Sequence, residues 1–257
     1  MAKFKSIVFF DMDGTLLSSK STIVEEVQNA VIHLKSNGNL PVIATGRAAF
    51  EVRPFMKMCN INSIISMNGQ YQEYEGKIIQ NLKIDPSICE RILSYAEQRD
   101  DIIGFYNSQT IAISADKPLA RSFYENISSP FPILNPNFYQ NNLVNQILVI
   151  ANHADEKYQL NFPELEFFIT GAHSIDTVIK GNSKGAGIKK FIDVARLNGI
   201  PTYAFGDGIN DLSMFEQVDY KIAMANGREE TKGLADLITD TNDNLGIVKG
   251  LKSYNLI

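Results

Sequence analysis

Residues 6–18 read SIVFFDMDGTLLS, and no other stretch constrains the fold as strongly. An apolar run of strand length breaks into Asp11 and Asp13, with Gly14 and Thr15 behind them, which describes a buried strand ending in two carboxylates. Like charges one residue apart oppose each other's ionisation. Such a pair needs a compensating cation, and a divalent metal is the usual one. Asp, Gly and Thr are also ordinary turn residues, so DMDGT alone is readable as a polar loop, and the remaining chain decides.

The chain continues in a βα rhythm. The spacing predicts a strand over Ser6 to Phe10 and a helix from about Thr22 to Asn37. In that helix Thr22 and Glu25 stand at capping-box spacing, Val24, Val27, Val31 and Leu34 share a face, and Gly38 is the stop. LPVIAT is a second buried strand ending at Thr45-Gly46-Arg47, FEVRPFMKM a helix, and SIISMNG a third strand. Strand, helix, strand, helix, strand is the signature of a parallel sheet covered on both faces. From Tyr71 the pattern changes to a hairpin, QYQEYEGKIIQNLKI, turning at Glu75-Gly76. A helix then opens at DPSICERILSYAEQ, with Asp85 as N-cap and Pro86 at its first position. Short strands and helices follow through GFYNSQTIAIS, PLARSFYENIS, VNQILVIAN and LEFFITG. After SIDTVIKGNSKG the βα rhythm returns with GAGIKKFIDVARLNG, TYAFGD, NDLSMFEQV, YKIAMANG and DLITD. The expected architecture is α/β: a doubly wound, Rossmann-like parallel-sheet core built from residues 1–81 and 182–257, interrupted by an α+β insert over 82–181.

A length of 257 residues favours two domains. With 44% hydrophobic and 21% charged residues the composition is that of a soluble globular protein, and no apolar run reaches bilayer-spanning length. The start, MAKFKSIVFF, is basic, but its apolar run is short and has no small-residue cleavage site, so no secretory signal is expected and the cytoplasm is the default. A net charge of −5 argues against a nucleic-acid backbone as the main partner. Cys59 and Cys89 have no metal-ligand spacing and read as core thiols.

In open parallel sheets ligands bind beyond the carboxyl ends of the strands. Collecting the residues at those ends gives Asp11, Asp13, Thr45, Asn68, and Asp207 with Asn210 and Asp211 close behind; Lys184 opens the helix after the insert. Acidic groups, a hydroxyl, an amide and a lysine at one sheet edge predict a site for magnesium and phosphate.

The segments DMDGTLL, TGR, SMNG, SKGAGIKKF and GDGINDLSMF, in that order, make the chain resemble the haloacid dehalogenase-like phosphohydrolases, and among them the Cof-type sugar-phosphate phosphatases with a large α+β cap. The resemblance covers essentially the whole chain. It implies that Asp11 is the nucleophile that forms an aspartyl phosphate and that Asp13 is the general acid and then the base. It also implies that Asp11, the Asp13 carbonyl and Asp207 hold Mg2+, with Asp211 orienting a water or Lys184. Thr45, Lys184 and Asn210 would offset the phosphoryl charge, while Gly14 and Gly46 would admit the backbone close to phosphate oxygens. Arg47 reads as a substrate contact, as a solvated cation or as a member of a surface ion pair, and His173 either as a contact to a sugar hydroxyl or as a solvated loop residue. Asn68 is a further candidate contact. Lys184 rather than Lys180 stands at the matching position, and Lys189 and Lys190 read as an exposed helix face. The insert would be the cap that closes over the site and selects the leaving group, with Phe105, Tyr106, Phe123 and Tyr124 in its core.

The expectation is a Mg2+-dependent phosphatase, monomeric or a small homo-oligomer, acting on a small phosphorylated metabolite such as a sugar phosphate, with neither a nucleic-acid nor a membrane partner. A sugar phosphomutase and a sugar-phosphate-binding regulator with a weakened site are the alternatives.

Overall fold

The computed structural model describes residues 4–127 and 129–257. The basic start at 1–3 and Ser128, the last residue of the predicted PLARSFYENIS segment, lie outside the described residues. The first elements are β1 (Ile7–Phe10), α1 (Glu25–Ser36), β2 (Leu40–Ala44), α2 (Ala49–Met58), β3 (Ile64–Ser66), β4 (Tyr71–Tyr74) and β5 (Lys77–Asn81). Next come α3 (Pro86–Gln98), β6 (Ile102–Tyr106), β7 (Ile111–Ile113), α4 (Pro118–Asn126), β8 (Ile133–Leu134), α5 (Phe138–Asn141), β9 (Gln146–Ile150), α6 (Lys157–Asn161), β10 (Leu165–Gly171) and β11 (Ser174–Ile179). The chain ends with α7 (Lys184–Val194), β12 (Thr202–Gly206), α8 (Leu212–Phe215), β13 (Tyr220–Ala223), α9 (Glu229–Leu234), β14 (Leu237–Ile238) and α10 (Gly246–Ser253).

These elements form two compact units. One gathers the chain up to Arg47 with Glu51–Gln80 and Ser183–Ile257; the other gathers Asn81–Asn182 and Ala48–Phe50. The first contains an eight-stranded sheet of order β14-β13-β12-β1-β2-β3-β4-β5. Its strands from β14 to β3 are parallel, and β4 joins β3 antiparallel. All residues of β1 and β2 are buried, which is why both read as unbroken apolar runs rather than alternating ones. Phe9, Val42, Ile188 and Phe191 belong to one core cluster of this unit. The second unit has a six-stranded sheet of order β10-β11-β9-β6-β7-β8, antiparallel apart from the short β7–β8 pair. Phe105, Tyr106 and Tyr124 are buried in it, and the Phe123 ring stands edge-on to Tyr124.

Local signals held where their polar groups had no competitor. Asp85 caps α3 by accepting from the Ser87 N–H, with Pro86 behind it. Glu75 and Gly76 both adopt positive φ, as a two-residue hairpin turn requires. The capping box proposed for α1 does not form: the helix starts at Glu25, and Val24 is an N-cap without a side-chain bond. The Thr22 hydroxyl pairs with Ser18 Oγ and its carbonyl accepts from the Ser18 N–H, so both polar groups close the preceding turn. The helix expected over NDLSMFEQV is shorter, with a 3-10 turn at Ile209–Asp211 leading into α8. Likewise α7 stops at Val194 rather than running to Gly199; Arg196 takes positive φ and the Leu197 N–H reaches back to the Ile192 carbonyl.

One contact fixes α7 against the turn that follows β3. A Cβ at Gly187 would lie 2.9 Å from the Gly69 Cα and 2.9 Å from a methyl of Ile65. Overpacking of this kind costs about 1–3 kcal/mol, so Gly187→Ala is expected to lose that much stability in urea unfolding. A loss below about 0.5 kcal/mol would show that the two backbones are free to part.

Candidate active site

The site starts with the turn that ends β1. Asp11 is buried directly after the strand, and its N–H donates to the Phe205 carbonyl of β12. Asp13 (φ −76°, ψ 121°) and Gly14 (φ 77°, ψ −2°) then have the dihedrals of a type II turn, which needs glycine at its second central position. Space demands glycine as well, because a Cβ there would lie 2.4 Å from Asp207 Oδ2. Thr15 Oγ1 donates to Asp207 Oδ1 at 2.7 Å, linking the loop after β1 to the loop after β12.

Lys184 is the first residue of α7 and is 1% exposed. Ser183 caps that helix by accepting from the Ala186 N–H. The Lys184 ammonium donates to Asp11 Oδ1 at 2.5 Å and to Asp211 Oδ1 at 2.8 Å. The other oxygen of Asp211 accepts from the N–H groups of Asp207 and Gly208, both at 2.9 Å. Asp211 is thus engaged at both oxygens, and its job is to hold the lysine and the Asp207 loop.

Thr45 and Asn68 sit on adjacent loops after β2 and β3, and both are buried. The Thr45 hydroxyl accepts from the Arg47 N–H. The Arg47 carbonyl accepts from Ser66 Oγ and the Met67 N–H, and the Asn68 N–H donates to the Thr45 carbonyl. These bonds hold Met67, Asn68 and Gly69 in three successive left-handed conformations, with φ of 51°, 51° and 94°. For the two non-glycine residues such a backbone costs on the order of 1 kcal/mol each, a strain that persists where surrounding contacts impose it.

Arg47 is not a solvated cation. Its Nε donates to Asp13 Oδ2 at 2.8 Å and one terminal nitrogen to Asp13 Oδ1 at 2.5 Å, a two-pronged pair across 34 residues of sequence. The Asp13 side chain remains 58% exposed and Arg47 only 23%, so the carboxylate stands at the rim while the guanidinium is tucked behind it. Asn210 is half-buried in the 3-10 turn before α8, and Gly46 half-buried beside Thr45. Lys189 and Lys190 are exposed, as expected. His173 lies in the second unit, in the β10–β11 turn, with its Nδ1 3.1 Å from the Ala151 carbonyl. Cys59 and Cys89 are buried free thiols, pushed up to about 11 and about 12 by that burial.

Charge is unevenly balanced around the lysine. Burial and the neighbouring Asp211 push Asp11 well above the ordinary carboxylate range, against the pull of Lys184. Burial likewise raises Asp207, to about 6, although the Thr15 hydroxyl opposes the shift. Burial alone would lower the Lys184 ammonium, but Asp11 and Asp211 outweigh it and the net shift is upward. Carboxylate oxygens of Asp11, Asp207 and Asp211 lie within 4.8 Å of one another. Three carboxylates therefore face one ammonium, and a hard divalent cation with oxygen ligands fits the remaining charge. Of the three carboxylates, Asp11 and Asp207 are the ones able to hold it, because both oxygens of Asp211 are already engaged.

Sequence reasoning brought Asp11, Asp207, Asp211 and Lys184 together correctly and missed two participants. Thr15 was visible as the hydroxyl ending DMDGT. The pairing of Arg47 with Asp13 joins two segments separately marked for the site, and nothing in either segment announces it.

Among the described residues no helix is long and apolar enough to cross a membrane. Residues 8–251 match the family model of haloacid dehalogenase-like hydrolases. YkrA of Bacillus subtilis (strain 168), named as a phosphatase, is 32% identical over 252 residues, spanning 98% of each chain. A solved structure from Geobacillus kaustophilus HTA426 is similar with a TM-score of 0.89 and 34% identity, over 98% of this chain and 100% of that one. The subclass IIB sugar phosphatase BT4131 is similar with a TM-score of 0.83 and 26% identity, over 98% and 100%. The family model, the phosphatase relative and the carboxylates clustered on a buried lysine agree: the chain belongs to the haloacid dehalogenase-like hydrolases, as a phosphatase of the Cof type.

Proposed function

We propose that this phosphatase is Mg2+-dependent and hydrolyses a small phosphorylated metabolite, a sugar phosphate by class, through a phosphoryl group carried on Asp11. The observation that carries the reading is the buried Asp11 carboxylate, bonded to an ammonium that is itself held by Asp211 and lying beside the Asp207 carboxylate. Similarity to a sugar phosphatase supports the substrate class.

In the first step an Asp11 oxygen forms a bond to phosphorus as the bond to the leaving oxygen breaks, and Asp13 gives that oxygen a proton. In the second step Asp13 removes a proton from water, the water oxygen attacks phosphorus, and the Asp11–phosphorus bond breaks to release inorganic phosphate. A bound Mg2+ would neutralise phosphoryl oxygens and the surplus carboxylate charge. Lys184 fixes the attacking carboxylate and spreads positive charge toward the same oxygens. The Arg47 fork orients Asp13 as an acceptor, so for the first step Asp13 has to leave that fork and enter the reaction already carrying the proton it gives. We assign selection of the leaving group to the insert over residues 82–181.

Asp11→Asn retains the side chain's shape and removes the nucleophile. Turnover of p-nitrophenyl phosphate in Mg2+ is expected to fall at least about a thousandfold, with the thermal midpoint preserved. Residual activity within tenfold of wild type would remove Asp11 from the reaction. A second test separates the two steps. Because p-nitrophenolate leaves without a proton, Asp13→Asn should still complete the first step and stall in the second. Rapid mixing should release up to about one equivalent of p-nitrophenol per site and then almost none. Slow linear release without a burst, in a variant that still binds Mg2+ and substrate, would show that Asp13 is not the base.

A further inference from the structure

The segment after β13 reads MANGREET, and none of the reaction steps uses it. Its hydrogen bonds nevertheless run to both acidic loops of the site. Asn226 Nδ2 donates to the Gly14 carbonyl at 2.8 Å, and Asn226 Oδ1 accepts from the Asn242 N–H at 2.9 Å. Asn242 Nδ2 in turn donates to the Leu17 carbonyl at 2.8 Å. On the other side the Arg228 N–H donates to the Asp207 carbonyl at 2.8 Å, and the buried Thr231 hydroxyl donates to the Gly208 carbonyl at 2.9 Å. Gly227 lies between these two sets of bonds. A Cβ there would meet the Cα and carbonyl oxygen of Asp207, each at 3.0 Å.

We propose that residues 226–231 form a bracket that sets the Asp11–Gly14 loop against the Asp207 loop, and that Asn226 is its positioning residue on the nucleophile side. The Gly14 carbonyl belongs to the second central residue of the turn that carries Asp13, so the bond from Asn226 restrains the rotation of that peptide. Without it the turn keeps the Thr15–Asp207 bond and its own Leu16–Asp11 and Leu17–Met12 bonds, and gains freedom to rock about them. Rocking would displace Asp11 and Asp13 from Asp207 without unfolding the sheet. Because reacting groups must sit within a few tenths of an ångström of their productive positions, small displacements lower the chemical step more than substrate binding. The catalytic consequence rests on the reading that Asp11 and Asp207 work together; the mechanical part stands without it.

Asn226→Ala and Asn226→Asp test both parts. The aspartate variant keeps the side chain's size and an acceptor for Asn242, and it replaces the donor to Gly14 with a charged oxygen that repels that carbonyl. Hydrogen exchange at the Leu16 and Leu17 amides is expected to speed up at least about tenfold in both variants, while exchange in β1 and β12 stays unchanged. For p-nitrophenyl phosphate kcat should fall about tenfold or more while KM moves less than about threefold. Unchanged exchange at Leu16 and Leu17 would overturn the bracket whatever the activity. Faster exchange with kcat within twofold of wild type would overturn the positioning role, as would full kcat in the aspartate variant. If wild-type protein fails to turn over aryl phosphates, the reaction assignment fails, and the exchange measurement still decides the bracket.

Discussion

A single ammonium, Lys184, sits between two carboxylates in the buried end of a parallel sheet, and the rest of the site is arranged around that contact. A buried lysine is tolerated only when its charge is paired and its protons are used. Asp11 and Asp211 pair it, and Asp211 is held by two backbone N–H groups of the loop after β12. The contact thus joins α7 and the loop after β12 to the end of β1, with Asp11 and Lys184 173 positions apart in sequence. Removing the lysine from such a set leaves buried carboxylates uncompensated, at a cost on the order of 3–5 kcal/mol. Asp207 then brings a third carboxylate into the same space. It makes the site unfavourable on its own and receptive to a cation.

The backbone provides what side chains cannot. Gly14 lets the loop after β1 approach Asp207 more closely than any Cβ would allow, and the Gly69–Gly187 contact brings the Asn68 turn against the helix that carries Lys184. The first is a close approach of main chain to the Asp207 carboxylate and the second of main chain to main chain, so sheet and helix geometry fixes both. At the rim the arrangement differs: Asp13 is more than half exposed and is held by the Arg47 fork. Under the proposed reaction, the group that exchanges protons with a leaving oxygen and with water stays accessible, while the group that attacks phosphorus is buried.

What was legible in the chain follows from this division. Asp11, Thr45, Asn68 and Asp207 could be collected because parallel strands place their carboxyl ends along one edge, so position at a strand end is enough to group residues distant in sequence. Lys184 could be collected from the turn into α7. Side-chain pairings across loops have no period and left no such mark. Arg47 was open between substrate contact, solvated cation and ion pair, with no partner named, until its fork on Asp13 was seen, and Asn226 was not singled out until Gly14 was found opposite it. The capping box at Thr22 failed for a related reason: a hydroxyl with two candidate partners took the one in the preceding turn, at Ser18.

The central claim is that the buried carboxylates exceed what Lys184 can balance and that a divalent cation makes up the difference. Asp207, raised to about 6, binds its proton more tightly folded than unfolded. Its contribution to the metal-free protein therefore falls as pH rises from about 4 through 6, and above that the ionised group is a net burden. The direct measurement is the thermal midpoint of wild type and Asp207→Asn at pH 7.5, each with and without excess Mg2+. The account predicts that Mg2+ raises the wild-type midpoint, that the variant is at least as stable as wild type without metal, and that Mg2+ leaves the variant unmoved. A wild-type midpoint indifferent to Mg2+, or a variant several degrees less stable than wild type in metal-free buffer, would contradict it.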